Sequence, residues 1–164
     1  MKQNRVLVLG SEEYFYYDEG VYGDIFVNGS RTRCWKLFKI KEPKNTSHES
    51  FMSQLKAYQL SVGHEAVTSM VPKLFRSGCS NFQVRDEHGK NVTSEYFPKL
   101  NYEMDFFDLT FCKIGSLPRE ETAGIFKSFK EAGIHNLSDA SIAYDLHRNP
   151  ILIDFGIQEI EVWH

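Results

Sequence analysis

Apolar positions in the N-terminal part of the chain fall in short runs, "RVLVLG" and then "YFYYDEGVYGDIFVNGSRTRCWKLFKI". Such runs, rich in Val, Ile, Tyr and Phe, predict strands, and "NGS" (Asn28 to Ser30) between two of them predicts a hairpin. In "SHESFMSQLKAYQLSVG" the period changes: Phe51, Leu55, Tyr58 and Val62 recur at helical spacing, with Ser47 placed to cap the helix and Gly63 to close it. "SMVPKLFRSG" and "NFQVRDEHGKNVTSEYF" return to strands, with Gly89 in a turn, and "MDFFDLTFCKIG" reads as a further apolar, buried strand. A second helix is expected over 119–132. Pro118 suits its first turn, Glu120 and Glu121 its positive end, and Gly133 its close. "SIAYD" and "PILIDFG" then make two strands around the turn "LHRN". This order predicts an α+β fold with an antiparallel N-terminal sheet.

Composition narrows the class without naming a function. A chain of 164 residues with 41% hydrophobic content can bury a core, so a single domain over 1–164 is expected. A net charge of −3 gives no electrostatic case for nucleic acid. No apolar run has the length of a membrane span, and "MKQNRVLVLG" is too short and polar for a signal peptide. Cys34, Cys79 and Cys112 are odd in number and lack metal-ligand spacing, which favours a reducing compartment and a cytoplasmic location. Sequons at Asn28, Asn45, Asn91 and Asn136 carry little weight without a secretion signal.

Taken in order, these segments resemble the protein-kinase-like fold over most of the chain. "EGVYGDIF" resembles the glycine-rich loop, with Gly20 and Gly23 letting backbone approach phosphates, and "RCWKLFKI" the next strand, with Lys36 as the phosphate-binding lysine. "SQLKAYQL" resembles the helix behind that lysine, and "VPKLF" the strand after it. "LTFCKIG" resembles the strand and hinge that hold adenine, which makes Phe111 and Lys113 nucleotide contacts. "FKEAGIHNLSDASIAYD" resembles the catalytic loop, and "PILIDFG" the metal-binding strand with its tripeptide. The resemblance implies an N-lobe-like part over about 1–112 and a reduced C-lobe over about 113–164, with ATP and magnesium as weakly held cofactors.

Phosphoryl transfer needs a lysine on the phosphates, its acidic partner, two metal-binding groups and a base beside the hydroxyl. Lys36 fits, with Lys39 and Lys41 as alternatives. Gln54 falls where the helix glutamate should be; it can hydrogen-bond a lysine but cannot neutralise it. Glu49 lies on the opposite, solvated side of that helix. Asn136 aligns with the catalytic aspartate and cannot accept a proton as a base does. Ser141 aligns with the metal-binding asparagine and is a poorer magnesium ligand. Asp139 is a candidate displaced base or a solvated turn aspartate, His135 a structural loop histidine, and Asp154 the metal-binding aspartate.

Eight residues follow Gly156, and "IQEIEVWH" cannot supply an activation segment or the later helices of the family. The helix at 119–132 would then expose Ile125, Phe126 and Phe129, together with Trp163. A second copy in a homodimer, a host partner or a rearranged core is expected to cover them. Two functions remain open. One is a pseudokinase acting as a nucleotide-binding or protein-interaction module. The other is an active minimal phosphotransferase, similar to the short kinase-like effectors that some pathogens deliver into host cells.

Overall fold

The computed structural model describes residues 4–157, so Trp163 lies outside the described residues. The chain divides into two compact units, Met1–Phe51 with Leu74–Phe107 and Met52–Lys73 with Asp108–His164.

The first unit contains β1 (Val6–Leu9), β2 (Glu12–Glu19), β3 (Gly23–Asn28), β4 (Arg33–Lys39), β5 (Leu74–Ser77), β6 (Gln83–Arg85) and β7 (Tyr96–Asp105). They form one sheet in the order β5-β7-β4-β3-β2-β1-β6, and every pairing is antiparallel. The α+β class and the antiparallel N-terminal sheet are therefore as expected. Asn28 does open a hairpin: its side-chain oxygen accepts the N–H groups of Thr32 and Arg33 at 2.9 and 3.0 Å. The left-handed residue of that turn is Arg31, at φ 56°.

Alternation along the strands sends Leu7, Tyr14, Phe26, Trp35, Leu37, Val84 and Tyr96 into one core. The sheet curls around it, and two tyrosines tie the curl together. Tyr14 on β2 donates to Glu103 on β7 at 2.8 Å, and Tyr96 on β7 donates to Asp24 on β3 at 2.6 Å. Both carboxylates are fully buried, which is tolerable only with such donors and opposite charge at hand. Arg76, opposite Glu103 in the ladder, grips both of its oxygens at 2.9 and 3.0 Å. Arg5 donates to the Tyr96 oxygen at 3.0 Å, and Lys39 lies 3.6 Å from Asp24.

Burial, reinforced by Glu12 and Glu103, pushes the Tyr14 hydroxyl well above its ordinary value near 10. Burial and Asp24 do the same to Tyr96. Tyrosines in the unfolded chain ionise first as pH rises, so this contribution to stability is complete below about pH 10 and declines above it. A phenolate absorbance titration is expected to show Tyr14 and Tyr96 ionising only as the circular dichroism of the fold is lost.

Helix α1 (Lys44–Val62) begins before Ser47. Its first turn closes on Pro43, whose carbonyl accepts the Thr46 N–H at 3.1 Å. Ser47 is thus not the cap; it is buried inside the helix and donates its hydroxyl to the Lys39 carbonyl at 3.2 Å. Phe51 sets its ring edge-on to Phe38 of β4, centroids 5.4 Å apart, which covers the other face of the sheet.

Two strand expectations are corrected. "SMVPKLFRSG" follows the four-residue helix α2 (Glu65–Thr68) and opens as a turn, so β5 starts only at Leu74. "MDFFDLTFCKIG" is not one buried strand: β7 stops at Asp105, and only the exposed pair Cys112–Lys113 (β8) is strand beyond it. An apolar run without alternation does not separate a strand from the connection between two units.

The second unit holds β8, α3 (Arg119–Glu131), β9 (Ser141–Tyr144) and β10 (Pro150–Ile153), with a sheet ordered β10-β9-β8. Pro118 stands just outside α3 as its N-cap. Gly133, at φ +88°, ends the helix; its N–H reaches the Lys130 carbonyl at 3.0 Å and that of Ile134 the Phe129 carbonyl at 2.9 Å. Phe155 packs against Tyr58 (4.6 Å) and Phe129 (5.4 Å) at the centre of this unit. Among the described residues no helix is long and apolar enough to cross a membrane.

Candidate functional site

In the first unit, Gly20 and Gly23 flank the loop between β2 and β3. Neither has a positive φ, so close approach is what requires glycine. A Cβ at Gly23 would stand 2.8 Å from the Leu37 carbonyl and 3.3 Å from Lys36 Cγ. At Gly20 it would stand 3.1 Å from the Gly23 carbonyl. Lys36 sits in the middle of β4, between Ile25 and Tyr102. It is only 6% exposed, with its ammonium 5.2 Å from the centre of the Phe38 ring. Lys39 and Lys41 turn their ammonium groups onto loop carbonyls instead.

In the second unit, Asn136, Ser141 and Asp154 come into one neighbourhood through the backbone. Asn136 and Gly156 exchange a pair of N–H···O bonds, both 2.9 Å. Ser141 opens β9 directly opposite Ile153, the residue before Asp154. Ser141 also faces Lys113 of β8, and Lys113 donates to the Asp139 carbonyl at 3.0 Å. Asp154 is exposed and left-handed at φ 61°, a conformation that Asp and Asn tolerate better than other side chains. The side-chain oxygen of Asn136 is buried and accepts no hydrogen bond from the described residues. Gly156 lies against the Ser53 hydroxyl, so a Cβ there has no room; that hydroxyl accepts the Ile157 N–H at 3.0 Å.

Asp139 and His135 are exposed, and Phe111 and Gln54 are half-buried. Gln54 and Asp154 belong to the second unit and Lys36 to the first. Glu49 is exposed, as its position on the helix suggests.

The expectation that α3 exposes three large apolar side chains is corrected. Phe129 is fully buried and Ile125 half-buried, and Phe126 alone is open, at 39%. Phe155 covers Phe129 from within the same unit, as a rearranged core would, the third expected cover beside a second copy and a host partner.

Hard oxygen donors suit magnesium, and Asp154, Ser141 and Asn136 offer that kind of donor. They bring one negative charge, and among the described residues no three His, Cys, Asp or Glu side chains group to hold a metal.

Sequence reasoning passed over Glu103 and Asp24. Their signal was available: each is a carboxylate at an inward position of an alternating strand. No protein-family model matches the chain, and neither a curated protein nor a solved structure shows significant similarity to it.

Proposed function

We propose that the chain is a degenerate protein-kinase-like domain that binds adenine nucleotide weakly and regulates rather than catalyses. The register of the second unit carries this reading. The segment holding Asn136 and Ser141 is hydrogen-bonded to residues on either side of Asp154, Ile153 and Gly156, which supports the resemblance. Two of those three side chains nevertheless have the wrong chemistry for a base and a metal ligand. The strand order β2-β3-β4-β7-β5 supports it as well, since the loop hairpin then lies beside the lysine strand. So does the side-chain oxygen of Asn136, which is buried without a donor among the described residues.

In this reading Lys36 meets the nucleotide phosphates, and Phe111 and Lys113 border the base. Asp154 would hold magnesium, with Ser141 and Asn136 as weaker oxygen donors, and the ion would neutralise phosphate charge when bound. An active minimal phosphotransferase is the second reading. It rests on Asp139, exposed three residues after Asn136. A protein partner on α3 would rest on Phe126 and Ile125.

Saturating ATP with magnesium is expected to raise the melting temperature. Lys36→Met and Asp154→Asn should each remove that shift, and asparagine tolerates the left-handed backbone, so the second loss reads charge alone. An unchanged melting temperature in wild type would end the nucleotide reading.

A further inference from the structure

From Gly20 to Gly23, where β2 turns into β3, all four carbonyls are engaged. Gly20 accepts from Lys39 Nζ at 3.0 Å and Val21 from Lys41 Nζ at 2.8 Å. Tyr22 accepts from the Lys39 N–H at 2.8 Å, and Gly23 from the Gly20 N–H at 2.7 Å. Three of these donors come from the segment 39–41 at the end of β4. Both ammonium groups are themselves anchored. Lys39 lies 3.8 Å from Glu19 and 3.6 Å from the buried Asp24, which Tyr96 also holds. Lys41 stands over the Tyr22 ring at 5.4 Å.

A trans peptide points its C=O and N–H in opposite directions. Because the carbonyls of Gly20 and Val21 turn onto the two lysines, the N–H groups of Val21 and Tyr22 turn the other way. We infer that Lys39 and Lys41 form a clamp that fixes this loop with the amides of Val21 and Tyr22 turned away from it, as a pair of donors for an anion of the phosphate class. Both lysines are then positioning residues, acting through the loop backbone. The identity of the anion rests on the nucleotide reading above; the clamp does not.

Backbone ¹⁵N relaxation tests the clamp without any ligand. In wild type, Val21 and Tyr22 are expected to show order parameters near 0.85, and in Lys39→Met/Lys41→Met below about 0.6. Lys41→Met alone, at an exposed residue, should loosen Val21 and keep the test decisive if loss of Lys39 beside Asp24 impairs folding. Lys41→Arg, which retains a donor, should restore rigidity. Wild-type order parameters in both methionine variants would overturn the clamp. Titration with inorganic triphosphate then reads the donors, with affinity expected to fall tenfold or more in Lys41→Met and to recover in Lys41→Arg. Equal affinity in Lys41→Met and wild type would overturn the assignment of the amides. If wild type binds no triphosphate, the nucleotide reading and the donor assignment fall, and relaxation decides the clamp.

Discussion

Arg76→Met is expected to be among the most destabilising single changes in the first unit. Glu103 is buried with no exposure, and Arg76 grips it through both oxygens. Removing that partner leaves a carboxylate inside the curl with Tyr14 as its close donor among the described residues and Arg33 at 4.0 Å. Stranding a buried charge costs about 3 kcal/mol, at the low end of the usual range because the Arg76 side chain is 47% exposed. For a chain of this size that corresponds to a fall in Tm of roughly 6–12 °C. Arg76→Met/Glu103→Leu should recover part of the loss, since an apolar pair removes the stranded charge. A single variant melting within a degree or two of wild type would show that Tyr14 and solvent suffice for Glu103.

The second large effect concerns phosphoryl transfer, which wild type should perform very slowly or not at all. A positioned base contributes about 10²–10⁴-fold, and Asn136 cannot act as one. Asn136→Asp/Ser141→Asn should therefore raise ATP turnover by about 10²-fold or more if the alignment is right. Asp139→Ala should change nothing. Robust wild-type turnover abolished by Asp139→Ala would instead establish the active reading, with Asp139 as the base.

The sheet was legible where alternation and turn residues agreed. The hairpin at Asn28 and the left-handed stop at Gly133 are both decided by local chemistry. The start of α1 was misread because Ser47 looks like a cap, yet its hydroxyl goes to a strand carbonyl distant in sequence. The break in "MDFFDLTFCKIG" was hidden because apolar content was taken for burial. Phe129 was misjudged for a related reason. Its cover is Phe155, and that contact joins residues the helical period of α3 cannot see. Of the candidate site, the nearness of Asn136, Ser141 and Asp154 followed from the order of the segments. The buried acids Asp24 and Glu103 stand at inward positions of alternating strands, but their donors Tyr96 and Tyr14 lie far off in sequence.

The most direct test is a calorimetric titration of wild type with ATP and magnesium, with ADP release followed in the same sample. Saturable binding that depends on Lys36, with no ADP above the rate of ATP alone, is the result expected of a nucleotide-binding pseudokinase. Absence of binding heat at saturating nucleotide, or steady turnover of ATP, would contradict it.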